Sequence, residues 1–210
     1  MATLFFGYAK EMLPAGDHQL VQIIDSALAD AARRSGEWLV CHPGCTQCCV
    51  GVFAISQLDA ERLRTGLREL EKNDPQRAAH LLERVQLSVS RIAADFPGHV
   101  QTGILGDTAE AQERFADFAN DEVCPVLDPA TGMCDLYASR PMTCRVFGPP
   151  VRSEYGLGVC ELCYQGASEA EVATCEMHLE TAALEAELTT QTELATGRYG
   201  DTIVAFALIP

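Results

Sequence analysis

Four cysteines, Cys41, Cys45, Cys48 and Cys49, fall within nine residues, and three more, Cys124, Cys134 and Cys144, follow at ten-residue intervals. This spacing limits the chain more than any other feature, because thiols gathered so densely must be oxidised, buried as small apolar groups or bound to metal. Ten cysteines in 210 residues is about 5%, below the roughly 8–10% of a short secreted disulfide scaffold. Residues 1–13 carry an apolar patch, but Lys10 and Glu11 interrupt it and no basic segment precedes it. They do not read as an export signal, so the expected location is cytoplasmic. Thiols there stay reduced, and clustered ones hold metal or carry out redox chemistry.

Asp and Glu total 30 against 15 Lys and Arg, for a formal charge of -15 and a pI near 4.6. Such a surface repels phosphate backbones and anionic lipid, so the expected partner or substrate is a protein of unknown identity, with no nucleic acid and no membrane. The late apolar run from Ile203 to Ile209 is far short of the roughly 20 residues a spanning helix needs. A hydrophobic content of 48% suffices for an ordinary core, and 1–210 is expected to form a single domain.

Leu20, Val21, Ile24, Ala27, Leu28 and Ala31 recur at helical spacing between Asp17 as cap and Gly36 as stop. Val50, Val52, Ala54 and Ile55 predict a short extended segment, and Ser56 with Asp59 opens a second helix to about Lys72. Asp74 and Pro75 open a third, with Ala78, Leu81, Leu82, Val85, Val89 and Ile92 on one face and Pro97 and Gly98 beyond its end. Asp107 with Glu110 starts a fourth, to about Asn120. Val126 and Leu127, a turn over Asp128 to Gly132, and Met133 to Tyr137 predict a hairpin, after which Pro141 opens a short helix. An irregular stretch reaches Gly166, Ser168 with Glu171 opens a last helix over about 168–190, and 202–208 reads as β-like. The predicted class is mainly α: helices packed around an irregular cysteine-rich metal centre with a small β-hairpin. That metal-binding region spans about 38–166, interrupted by a helical insertion over about 56–120.

The loop holding the first four cysteines also contains Pro43 and Gly44, which let backbone bend around a small centre. Cys48 and Cys49 are adjacent, and consecutive side chains diverge, so one of the two is expected to serve a second metal, a bridging role or the core. A hairpin brings Cys124 and Cys134 together, and Cys144 can join them from the following turn. Seven thiols could form one compact site or two. Cys160 and Cys163 form a further close pair that can join the assembly, and His42 could replace a thiolate. Cys175, on a helical face with Val172, Leu179 and Ala182, reads as a small buried hydrophobe. Arg140 and Arg145 flank Cys144, where cations would offset the negative charge of a thiolate centre.

These residues carry a resemblance. Cys41-x3-Cys45-x2-Cys48-Cys49, then Cys124-Pro125-x-Leu127-Asp128, then Cys134-x-Leu136-Tyr137-x2-Arg140-Pro141-x2-Cys144-Arg145-x-Phe147, resembles the YkgJ-type cysteine-cluster family of zinc- or iron-chelating domains. The likeness covers about residues 41–163 and implies a metal-chelating module. It extends to flagellin lysine N-methylases, which share the cysteine pattern, and so implies a ligand set more securely than an activity.

Zinc and iron–sulfur clusters accept the same thiolates. Dense cysteines, an adjacent pair and little histidine favour an iron–sulfur cluster over zinc, in a redox, regulatory or structural role. The competing reading is a protein-modifying enzyme, such as a lysine N-methylase or a radical S-adenosylmethionine-type enzyme. Cys41-x3-Cys45-x2-Cys48 is similar to the cluster loop of the latter, but Gln47 stands where an aromatic is usual and no repeated strand–helix units follow. No glycine-rich loop after a strand supports a methyl-donor site. His18, His80, His99 and His178 lie on or beside helices, and Glu180, Glu185 and Glu187 read as a solvated face. The sequence therefore assigns no catalytic residue, and its candidate metal ligands are Cys41, Cys45, Cys48, Cys49, Cys124, Cys134, Cys144, Cys160 and Cys163.

Overall fold

Local capping chemistry sets the starts of four of the eight α-helices among the described residues of the computed structural model, which are 13–153 and 156–209. The stretch considered above for an export signal lies outside these, except Leu13. Ser56 accepts the Asp59 amide at the start of α2 (Gln57–Asn73), and Asp74 accepts that of Arg77 at the start of α3 (Pro75–Ile92). Both starts agree with the sequence. At the first helix, α1 (Asp17–Ser35), the cap position is Gly16, and Asp17 lies one residue inside. Its carboxylate is not spent on the helix end but accepts from Arg62 Nε at 2.6 Å. The fourth helix, α4 (Ala109–Ala116), is capped by Thr108 and is shorter than expected.

The hairpin forms as two-residue strands, β3 (Leu127–Asp128) and β4 (Met133–Cys134), paired antiparallel with Leu127 opposite Cys134. Helix α5 (Met142–Val146) follows with Pro141 before its first residue. Two further antiparallel pairs, β1 (Gly98–His99) with β2 (Ile104–Leu105) and β5 (Val151–Ser153) with β6 (Gly156–Gly158), fall in stretches the sequence left irregular. The chain is mainly α with small hairpins.

The last predicted helix is two helices. Ser168 and Glu171 form the expected capping box, but it opens only α6 (Glu169–Thr174), and α7 runs over Ala182–Thr196. The backbone between them is taken by tertiary partners. Arg34 of α1 donates to the carbonyls of Thr174 at 2.5 Å and Glu176 at 2.9 Å, and the Met177 amide donates to Pro150 O at 2.7 Å. Groups committed in this way cannot continue an i to i−4 ladder. The segment read as β-like makes one bridge, Ile55 to Thr202, and then turns into α8 (Val204–Ala207), which is buried throughout.

Helix α2 is the organising element. Leu63 and Leu67 on one side join Leu81 and Val85 of α3, Val126 and Leu136 around the β3–β4 hairpin, and α8. Leu58 on another side joins Leu20 and Ile24 of α1, Met142 of α5 and Leu188 of α7. Each fully buried leucine contributes roughly 1.5–3 kcal/mol relative to an exposed one. A third cluster, with Phe96, Phe118 and Phe206, closes the end near β1 and β2. Gly66 lets the turn at Tyr137–Ser139 lie against α2, since a Cβ there would stand 2.6 Å from Ser139 Cβ. No helix among the described residues is long and apolar enough to cross a membrane.

Candidate metal centre

The early cysteine loop divides between two places. Cys48 and Cys49 occupy a 3-10 turn at Gln47–Cys49, and the backbone beyond it pairs with the segment leading into the hairpin. The Cys124 amide donates to Cys49 O at 2.8 Å, Gly51 N donates to Glu122 O at 2.9 Å, and Val50 bridges Val123. These bonds place the Cys48–Cys49 pair beside Cys124. β-pairing brings up Cys134, and α5 brings up Cys144, so that Cys48, Cys124 and Cys134 all act electrostatically on the Cys144 thiol. Five thiols, all partly buried, thus form a central group.

Cys48 and Cys49 lie close enough to act on each other, Cys124 and Cys134 act on the Cys49 thiol, and Cys48 acts on the Cys144 thiol. Cys48 is held down to about 6 by the hydrogen bond from Cys49, by its own backbone amide and by the Arg140 guanidinium, against the effect of burial. Cys49 is pushed up by the same bond and then by burial. Burial pushes Cys124 up to about 12, and it also raises Cys134 and Cys144. Burial thus disfavours the thiolate at Cys124, Cys134 and Cys144, while the surroundings of Cys48 favour it.

Cations missed by spacing arguments hold this group in place. Arg84 of α3 donates through Nε to Pro125 O at 2.9 Å and through Nη2 to the buried carboxylate of Asp135, which also accepts from Arg77. One side chain thus fixes the residue after Cys124 and the residue after Cys134. Asp59, buried in α2, accepts the Met142 amide at 3.0 Å and a bond from Arg62, anchoring the start of the helix that carries Cys144. The two arginines flanking Cys144 have different roles. Arg145 is buried, chelates Asp25 of α1 at 2.9 Å to both oxygens and donates to the carbonyls of Ala138 and Arg140. It is structural. Arg140 lies over the Tyr137 ring at 4.0 Å and stabilises the thiolate forms of Cys48 and Cys134.

Cys41 and Cys45 join a different set. Cys41 Sγ lies 3.8 Å from Cys163 Sγ, and Cys160, Cys163 and Cys45 all bear on the Cys41 thiol, which burial first and these neighbours next push up to about 12. Cys160 and Cys163 are buried with Tyr164, Trp38 and Leu39. Cys175 is buried in the same cluster, so the reading of it as a small core residue agrees with its burial, although it caps α6 rather than lying inside a long helix. His42 is exposed, its Nδ1 2.9 Å from Pro43 O. Glu185 is half-buried, with its carboxyl raised by burial, rather than part of a solvated face. Among the described residues, no three His, Cys, Asp or Glu side chains converge as closely as a single bound ion would draw them. Binding at either group therefore entails inward movement of sulfurs, as is usual where metal and local order form together.

A family model described as a "putative zinc- or iron-chelating domain", defined by the CxxCxxCC pattern, matches residues 40–164. The chain belongs to this family. The match runs from just before Cys41 to just after Cys163, so it takes in both thiol groups and the helices between them. Comparison with curated proteins and with solved structures finds no match. The family's description thus names zinc or iron chelation, and the clustered thiols of this chain suit zinc or iron–sulfur chemistry.

Proposed function

We propose that the protein binds an iron–sulfur cluster at the central group of Cys48, Cys49, Cys124, Cys134 and Cys144, and that this centre serves a redox, regulatory or structural role. The observation that carries this is the meeting of the two adjacent early thiols with the three hairpin-side thiols in one half-buried place. A cluster of several irons tolerates sulfurs spread more widely than a single ion does. Arg140 at the edge of the group suits an anionic centre. When bound, the cluster would supply one-electron chemistry, and the chain's residues would hold it, shield it and set its charge.

Anaerobic purification followed by iron, zinc and acid-labile sulfide analysis tests this. The expected result is a brown protein with iron and sulfide in near-equal amounts, bleaching on reduction. A colourless protein with zinc at the central group and no sulfide would replace the cluster by a zinc module. Failure to retain any metal, even after reconstitution, would remove the reading altogether.

A further inference from the structure

We infer that Cys41, Cys45, Cys160 and Cys163 form a second, separate centre for one tetrahedral ion of the zinc class. This rests on the reading of the chain as a thiolate metal binder and adds a site distinct from the central group.

The first support is the way the backbone partitions the loop. Residues 38–47 are tied to residues 160–164 at both ends: Tyr164 N donates to Trp38 O at 2.9 Å, and Gln47 Nε2 donates to Glu161. Cys41 and Cys45 lie between those ties on one strand of the junction, and Cys160 and Cys163 lie on the other. From Cys49 onward the chain is tied instead to the segment 122–124. The boundary falls between Cys45 and Cys48, so the spacing Cys-x3-Cys serves one place and Cys-Cys the other.

Turn geometry supports the same partition. The Cys163 amide donates to Cys160 O at 2.9 Å, so that pair sits at the two ends of one tight turn, and the Cys45 amide donates to His42 O at 3.0 Å, closing a turn that begins one residue after Cys41. Such turns let two sulfurs reach one ion from the same side, as in zinc sites built from two short cysteine pairs. Gly148, at φ +119°, passes so near that a Cβ there would stand 3.0 Å from Cys41 Sγ. The chain leaving α5 thus closes one flank of the site, and any larger residue would press on that sulfur.

The sulfur spacing fits a tetrahedral thiolate site. Two thiolates on one tetrahedral zinc, each about 2.3 Å from the metal, stand about 3.8 Å apart by simple trigonometry. Cys41 and Cys163 already stand at 3.8 Å. Cys160 and Cys163 are buried among Trp38, Leu39 and Tyr164, while Cys41 is exposed and Cys45 half-buried, so an ion here would be covered on one side by apolar side chains and on the other by the 41–45 loop.

The test uses the full chain, purified anaerobically from medium supplied with both iron and zinc, with iron, sulfide and zinc measured on the same samples. Cys41→Ser and the double variant Cys160→Ser/Cys163→Ser should each lose about one equivalent of zinc while keeping iron and sulfide. Cys134→Ser/Cys144→Ser should do the reverse. If each of these variants loses all metal together, the nine thiols serve one centre and the partition is wrong, though the chain remains a metal binder. Wild-type protein that holds no metal would instead overturn the binding reading itself. Because a double variant can fail by misfolding, X-ray absorption at the zinc edge of the unmodified protein supplies an independent arm. Four sulfurs at about 2.3 Å are expected, whereas nitrogen or oxygen ligands, or no zinc, would overturn the assignment.

Discussion

At the scale of single residues, the centre depends on buried charges as much as on thiols. Arg62, 3% exposed, pairs with Asp17 at 2.6 Å and with Asp59, and Asp59 in turn holds the first amide of the helix bearing Cys144. Arg62→Met would strand two buried carboxylates and should cost about 3–5 kcal/mol in chemical denaturation. Asp59 also carries a pH signature. Burial pushes its carboxyl up to about 6, against the pull of Arg62 and the Met142 amide, with Glu185 and Asp17 adding to the rise. The folded state then binds more protons than the unfolded state between about pH 4 and 6. Stability from this group is full below the unfolded pKa and is lost as pH rises through about 6. Wild type should therefore lose on the order of 3 kcal/mol relative to Asp59→Asn between pH 4 and 7, and parallel curves for the two proteins would show that the carboxyl is ionised throughout.

At the scale of elements, the positions of the hairpin and of α5 decide whether the central thiols meet. Asp135→Ala would release the tie from Arg77 and Arg84 to the strand holding Cys134. A stability loss on the order of 3 kcal/mol is expected, together with weaker metal retention in chelator competition; retention equal to wild type would show that the hairpin is held by its own turn. Gly66→Ala should destabilise the protein even though alanine is the better helix former, because the new methyl meets Ser139. An unchanged midpoint would mean that the turn moves aside freely. Element starts were legible where Ser56, Asp74 and Ser168 cap their own helices, whereas at the fourth helix the cap is Thr108, one residue after the expected Asp107. Legibility failed where a residue's partner is remote. Asp17 reads as a cap but serves Arg62, and the helix expected over about 168–190 breaks because Arg34 and Pro150 take the backbone groups its continuation needs. The ligand candidates follow the same logic: spacing could gather the cysteines, but only the ties from 38–47 to 160–164 and from 49–51 to 122–124 separate them.

At the scale of the whole molecule, metal and fold should be linked, because buried thiols held mostly protonated must release protons and close inward when an ion binds. Chelator treatment under anaerobic conditions should lower the unfolding midpoint. Even a loss of about 3 kcal/mol would move it by roughly 6–12 °C for a chain of this size. An unchanged midpoint after complete metal removal would show a scaffold that folds without its ion. In a chain with a formal charge of -15, several of the few arginines, Arg62, Arg84 and Arg145 among them, serve as paired struts. That distribution explains why the cations matter to the architecture of a protein with so few of them. The central claim is that Cys48 and Cys49 share one metal centre with Cys124, Cys134 and Cys144. The most direct measurement is isotope-coded thiol alkylation, read by mass spectrometry during stepwise metal removal. These five cysteines should gain reactivity together, at the same metal content, while Cys175 stays protected until unfolding. Cys48 and Cys49 becoming reactive at a different metal content from Cys124, Cys134 and Cys144 would contradict the account.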